Sequence, residues 1–311
     1  MQISRFPASQ RPGWQQPVVA LGNFDGLHRG HQQLIDEVRR RAAERGGTAT
    51  VMIFDPHPPR VLRPERAPAL IMTLPQKLEA FERAGVQGVA IVDFTTELSR
   101  WEPELFVETV LIDWLRAAEV WVGANFLFGR DRSGTFTLLR AIGEDRGFRV
   151  EKIEPVRYKE FVVSSTRVRH LIAEGRVDEA GALLGHHYFL DGVVVHGDAR
   201  GRELGFPTAN LSTDNELLPA FGIYATLAVV GDRWLPAVTS IGVRPTLGEG
   251  GPVTIETHLL AGGRDLYGAT LRVAFVKWLR PEVAFDSLDA LTAQIARDCA
   301  DASAIFDALA L

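Results

Sequence analysis

At 311 residues the chain is long enough for two domains of ordinary size. A composition of 46% hydrophobic and 23% charged residues describes a globular protein, and a net charge of −5 argues against a general nucleic-acid binder, which carries a basic face. The single cysteine, Cys299, excludes an internal disulfide framework and any cysteine-based metal cluster.

Residues 1–17 hold no long apolar core of the kind a secretory leader needs, and no run reaches the roughly 18 apolar residues of a membrane span. The expected location is therefore the cytoplasm, with neither membrane nor nucleic acid as a partner. From residue 17 to about 156, apolar strands alternate with helical patterns. Strands are expected at 18–21, 48–54, 89–92, 120–123 and 148–153. Helices are expected after His31 and at 75–84, 103–117 and 135–145. The basic run Arg39-Arg40-Arg41 falls on the first of these helices and reads as solvated surface. Strands spaced by helices in this way predict βαβ units and a parallel sheet, with ligands beyond the carboxyl ends of the strands.

The first strand runs into Gly22-Asn23-Phe24-Asp25-Gly26-Leu27-His28-Arg29-Gly30-His31. This strand–loop–helix junction frees backbone N–H groups at a helix start, which favours an anion such as phosphate. His28 and His31, one helical turn apart, can address the same group and donate hydrogen bonds to a phosphoryl oxygen as its charge grows. Gly22, Gly26 and Gly30 let the backbone approach a ligand. Two further segments follow strands. Phe54-Asp55-Pro56-His57-Pro58 has three prolines in four positions from Pro56 and predicts a stiff, non-helical loop. In 123–129, Asn125 either shapes a turn or hydrogen-bonds a ribose, a phosphate or a metal-bound water.

Val163-Ser164-Ser165-Thr166-Arg167-Val168-Arg169 predicts a second helix start with an anion-binding character, capped by Ser164 or Ser165. A short helix at 177–184 ends at Gly185. Beyond it, extended segments at 188–196, 221–230, 235–241, 253–260 and 271–276 alternate with turns, which predicts an antiparallel barrel or sandwich. A helix at 287–309 closes the chain and carries Cys299. The change of pattern places a domain boundary near residue 185, giving domains 1–185 and 186–311. Within the second, Gly197, Gly201 and Gly205 lie at four-residue spacing before Pro207-Thr208-Ala209-Asn210. Such a loop can fold around phosphates, and the oxygen side chains of Thr208 and Asn210 suit Mg²⁺. Glu256 sits mid-strand in Ile255-Glu256-Thr257-His258-Leu259.

These motifs resemble a known family. Gly-Asn-Phe-Asp-Gly-x-His-x-Gly-His and Ser-Ser-Thr-x-x-Arg resemble the two signatures of HxGH nucleotidyltransferases, and Gly-Phe-Pro-Thr-Ala-Asn resembles that of riboflavin kinases. Together, over residues 17–301, the chain resembles the prokaryotic bifunctional riboflavin kinase/FMN adenylyltransferase (FAD synthetase) family. The resemblance implies an α/β Rossmann-like nucleotidyltransferase domain followed by an antiparallel β-barrel kinase domain with a C-terminal helix. It implies riboflavin, FMN and ATP as small-molecule substrates, FMN and FAD as products, and Mg²⁺. It further implies that Glu256 is the kinase base and that His28 and His31 stabilise the adenylyl transfer. Gly22, Phe24, Asp25, Gly26, Gly30, Asn125, Ser164, Ser165, Thr166 and Arg169 would bind nucleotide in the first half, and Gly197, Gly201 and Gly205 in the second. Asp55, His57, Arg280 and Phe285 would contact flavin. The chain departs from the family pattern at His186-His187, Ser240, Ala261-Gly262 and Val283-Ala284. Two alternatives stand beside this reading, an adenylyltransferase with an inactive flavin-binding kinase-like domain and a non-catalytic flavin carrier or sensor.

Overall fold

A computed structural model describes residues 1–197, 201, 204–243, 252–262 and 266–309. Two compact units, Met1–Ser164 and Ser165–Leu311, account for the chain.

The first unit is built on six parallel strands in the order β1-β4-β3-β2-β5-β6: β1 (Gln2–Phe6), β2 (Val18–Leu21), β3 (Ala49–Asp55), β4 (Gly88–Asp93), β5 (Glu119–Gly123) and β6 (Arg149–Ile153). Strands β2 to β5 are short runs buried on both faces, which the sequence shows as unbroken apolar stretches. Strand β1 is unexpected from the sequence. It is an edge strand whose Gln2, Arg5 and Phe6 are exposed or half-buried, so it lacks an apolar run. After β4 the chain returns to the other side of β2 to lay down β5. The β2/β5 crevice is therefore the switch point where doubly wound sheets bind ligands.

Helix α1 (Arg29–Arg45) follows β2 and buries Leu34, Ile35, Val38 and Ala42 against the sheet, each larger side chain contributing about 2 kcal/mol. It stops at Gly46, whose left-handed φ of 62° suits glycine. The proline segment is not wholly extended. Helix α2 (Pro58–Leu62) starts directly after His57, because proline at the first helical positions lacks only an N–H that would have no partner there. Helix α3 (Leu74–Arg83) begins with a complete Thr73/Gln76 capping box. Helix α4 (Pro103–Phe106) widens into a π-type turn over Val107–Trp114, and α5 (Phe136–Arg146) precedes β6. The short hairpin β7 (Arg157–Tyr158) and β8 (Phe161–Val162) completes the unit.

Arg41 is not solvated surface. Its guanidinium donates two hydrogen bonds of 3.0 Å to Glu119, a carboxylate with no exposure, which also accepts from Trp121 Nε1 at 2.7 Å. Burial pushes the Glu119 carboxyl up, but the bonds from Arg41 and Trp121 outweigh it and leave it below its ordinary range. Arg45 Nη1 also lies 3.4 Å from this carboxylate, so Arg41→Met removes two charge-assisted hydrogen bonds without stranding the charge and should cost about 2 kcal/mol in urea unfolding at pH 7. The folded pKa lies below that of the unfolded chain. The wild-type contribution is therefore complete above about pH 4.3 and fades as pH falls through the folded value, and the gap between wild type and variant should close in acid.

In the second unit, α6 (Ser165–Ala173) and α7 (Val177–Leu184) precede a closed barrel, with α7 packed on two of its strands. The barrel order is β10-β13-β12-β11-β14-β9, with β9 (Tyr188–Val195), β10 (Thr208–Thr213), β11 (Gly222–Val230), β12 (Arg233–Val243), β13 (Val253–Leu259) and β14 (Thr270–Arg280), every pair antiparallel. Strand β10 was not expected, since Pro207-Thr208-Ala209-Asn210 reads as a polar connection. Inside the wall, Thr226, Thr239 and Thr257 form a buried hydroxyl chain of 2.8 and 3.0 Å across β11, β12 and β13. Helix α8 (Leu288–Leu309) covers β11, β12 and β14, bringing Ala302 and Phe306 against Ile223, Ala225 and Val238.

Candidate active sites

The Gly22–His28 turn leaves the carboxyl end of β2 and enters α1 through His28, the residue immediately before the helix. The His28 imidazole caps the helix, its Nδ1 accepting the His31 backbone N–H at 3.3 Å. An accepting Nδ1 carries no proton, so in the neutral ring the proton is on Nε2. The His31 ring stacks on it at 3.6 Å with the planes 13° apart. Burial, then repulsion from His28 whenever it is protonated and from Lys77, hold the His31 imidazole well below its ordinary pKa. Its buried Nδ1 has no hydrogen-bond partner, as does the amide oxygen of Asn23. A Cβ on Gly30 would lie 3.3 Å from the His28 ring, so the motif glycine is what allows the imidazole to lie against the helix start.

Phe24, with φ +50°, is buried beside His31 at 5.0 Å, and Gly22 packs against the Phe24 ring. Gly26 turns the chain with φ +87°. Asp25, expected to bind nucleotide, is turned inward. Its buried carboxylate accepts the backbone N–H groups of Ile71 and Met72 at 3.1–3.2 Å, and Lys77 Nζ lies 3.9 Å away. Asp55, expected near flavin, ends β3 and pairs with Arg5 at 3.0 Å, the same guanidinium that binds Asp93 at the end of β4. Arg5 joins the carboxyl ends of two strands and was missed because β1 was missed. His57 precedes α2, and Asn125 lies exposed in the turn after β5, the strand beside β2. Ser164 stands directly before α6, which opens with Ser165 and Thr166 and carries a half-buried Arg169 in its second turn.

In the barrel, the outward positions of three adjacent strands form the second constellation. Asn210 and Ser240 stand opposite Glu256 on either side, and Thr208 opposite His258. Thr208 Oγ1 donates to Glu256 Oε2 at 3.3 Å. His258 Nδ1 donates to the Pro207 carbonyl at 2.9 Å, and the Phe206 ring meets His258 edge-on at 5.4 Å. These bonds fix the segment that presents Thr208. A Cβ on Gly197 would lie 2.2 Å from the Asn210 amide, and one on Gly201 would lie 2.4 Å from the Phe206 carbonyl oxygen and 3.4 Å from Thr208 Oγ1. Gly205 turns the chain just before Pro207 with φ +86°. Asp198, Ala199, Arg200, Arg202 and Glu203 of this loop lie outside the described residues.

Because the Phe206 oxygen is backbone and cannot swing aside, Gly201→Ala must move the strand entry that carries Thr208. Misplacement of about 1 Å costs about 100-fold in rate. Riboflavin phosphorylation by this variant should fall by at least 10-fold while FAD formation from added FMN is unchanged, as measured by flavin chromatography.

Glu282 packs its carboxylate on Gly242 and accepts from Ser240 Oγ at 3.4 Å. Loss of hydration, with the Glu256 charge adding to it, pushes this carboxyl up. Arg280, expected to contact flavin, is held by both oxygens of Asp298 on α8 at 2.7–2.8 Å and lies 5.9 Å from the Phe285 ring. Among the described residues no group of three or more His, Cys, Asp or Glu could hold a metal. The oxygen donors that come together beside the Glu256 carboxylate are the hydroxyl of Thr208 and the amide of Asn210. Such hard oxygen ligands, too few to enclose an ion, fit a Mg²⁺ that takes its remaining ligands from water and substrate phosphates.

The FAD synthetase family model matches residues 10–167 and the riboflavin kinase family model residues 184–306. A protein named bifunctional riboflavin kinase/FMN adenylyltransferase from Pseudomonas fluorescens is 39% identical over 98% of both chains. Proteins of the same name are 38% identical in Escherichia coli K12, over 90% of both chains, and 34% identical in Bacillus subtilis, over 94% of this chain and 93% of that one. A solved structure titled macrolide-efflux protein, from Streptococcus pneumoniae, superposes with a TM-score of 0.86 at 29% identity, covering 96% of this chain and 97% of its own. Among the described residues no helix is long and apolar enough to cross a membrane. With both family domains in order and full-length relatives at this identity, the chain belongs to the bifunctional riboflavin kinase/FMN adenylyltransferase family.

Proposed function

We propose that the chain makes FAD from riboflavin in two ATP-dependent steps, phosphorylation in residues 186–311 and adenylylation in residues 1–185. The observation that carries this reading is the presence in one chain of two separate constellations, the stacked His28/His31 pair at a helix start and the Thr208–Glu256 contact on the barrel wall. A protein that only carried flavin would need neither. A kinase-like domain that only bound flavin would not need a carboxylate held by the Thr-Ala-Asn strand.

In the first step Glu256 takes the proton of the ribityl 5′-hydroxyl as that oxygen attacks the γ-phosphorus of ATP; the bond to the bridging oxygen breaks and ADP leaves. Thr208 and Asn210 would hold Mg²⁺, which when bound neutralises phosphate charge. Gly197, Gly201 and Gly205 let the backbone close on the phosphates, and Arg280 with Phe285 frames the flavin side. In the second step a phosphate oxygen of FMN attacks the α-phosphorus of a second ATP and pyrophosphate leaves. His28 and His31 donate to the oxygens that gain charge. By the motif they complete, Ser164, Ser165, Thr166 and Arg169 take the departing phosphates. Asn125, Asp55 and His57, around the same strand ends, serve the nucleotide and flavin. Asp25 acts by anchoring the turn. No protein nucleophile is needed, because positioning and electrostatics carry such transfers. Riboflavin, FMN and ATP are the partners, and the cytoplasm is the proposed location.

Labelled ATP tests the two attacks separately. Label from the γ-phosphorus should enter FMN and be carried into FAD, whereas label from the α-phosphorus should appear in FAD and never in FMN. An α-label in FMN, or its absence from FAD, would refute the scheme.

A further inference from the structure

We propose that Lys77 is a further residue of the adenylylation site, a positioning residue whose buried positive charge, held by Asp25, keeps His31 a neutral N–H donor. The inference rests on the reading of the His28/His31 turn as that site.

Lysine is rarely buried unless it is paired. Lys77 nevertheless lies with Gln76 and Phe81 on the buried face of α3, its side chain 8% exposed. Its partner is Asp25 of the glycine-rich turn, 2% exposed, with Nζ 3.9 Å from Oδ1. The two oxygens of Asp25 also take the N–H groups of Ile71 and Met72, just ahead of the α3 cap, so the approach of α3 to the turn is fixed from both ends of the contact. Between the helices lies Phe24, its ring 5.0 Å from His31 and 5.6 Å from Phe81. Phe24 thus packs between His31 and the buried face of α3 that also carries Lys77.

Burial first, then Lys77 from α3 and His28 whenever it is protonated, oppose a proton on the His31 ring, and Asp25 pairs with Lys77. Stacking at 3.6 Å against His28 opposes it further, since two imidazolium ions would lie face to face. The orphaned, buried Nδ1 of His31 has no protein group to hold a second proton. The consequence is chemical. A charged His31 would bind the triphosphate of ATP equally in ground and transition states, whereas a neutral ring contributes mainly as charge grows on the transferred group.

A pH titration of the His31 imidazole by NMR, assigned with His31→Gln, reads this directly and needs no turnover. In the wild type His31 should stay neutral well below the range of a free imidazole. In Lys77→Met its midpoint should rise by about one pH unit, the acid limb of FAD formation from FMN should move with it, and Lys77→Arg should restore both. An unmoved midpoint in folded Lys77→Met, or a loss of FAD formation equal at every pH, would overturn the proposal. If the Met variant does not fold, Lys77→Gln, which keeps a polar tip for Asp25, is judged by the same two outcomes. Should the wild type make no FAD from FMN, the site reading fails, and the His31 titration still decides whether Lys77 controls its proton.

Discussion

Glu256→Gln should lower the rate of riboflavin phosphorylation by about 100- to 10,000-fold, with FAD formation from added FMN unchanged. The substitution keeps the shape of the side chain, and a carboxamide oxygen can still accept the Thr208 hydroxyl now 3.3 Å away. What is lost is a group that takes a proton. A carboxylate whose charge couples to Glu256, Glu282, is held by Ser240 and packed on Gly242. It therefore does not supply a second base. Because Asn210 and Thr208 stay in place, the Michaelis constant for ATP should change by no more than a few fold, so the loss falls on kcat. Initial rates of FMN formation at saturating riboflavin measure it. A kcat within a few fold of wild type would move the base to another group.

His28→Ala should do the reverse, lowering FAD formation from FMN by about 100- to 1,000-fold and leaving FMN formation from riboflavin intact. Two functions of His28 have to be separated. The imidazole caps α1 through Nδ1, and losing a cap costs about 1 kcal/mol, whereas the chemistry needs the N–H on the other ring nitrogen, Nε2. Asparagine is among the best capping residues but has no imidazole. His28→Asn should therefore recover the thermal stability lost in His28→Ala and remain as inactive in adenylylation. Recovery of FAD formation in the asparagine variant would reduce His28 to a helix cap.

The chemical motifs and most elements were legible in the sequence, because the strands of the first unit are continuous apolar runs and those of the barrel are separated by turn residues. What escaped did so for physical reasons. Strand β1 is a half-exposed edge, and β10 carries the polar Thr208 and Asn210 on its open face, so neither shows the pattern of a buried strand. Asp25, Asp55 and Arg280 belong to motifs and read as ligand contacts, and the structure adds a protein partner to each that the motifs do not show. Asp25 holds the start of α3, Asp55 is paired with Arg5, and Arg280 fastens α8 through Asp298. A motif records which side chains accompany a function, and some of them serve it by holding the backbone that others stand on. Lys77 was readable only as a lysine four residues before Phe81 on an apolar helix face. Its meaning depends on Asp25, 52 positions earlier in the chain.

The central claim is that one chain carries both reactions. It is tested most directly by incubating the purified protein with riboflavin, excess ATP and Mg²⁺ and separating the flavins over time. FMN should appear first, pass through a maximum and give way to FAD. A protein that makes FAD from added FMN but never phosphorylates riboflavin would contradict the role given to the barrel. One that changes neither flavin would contradict the account as a whole.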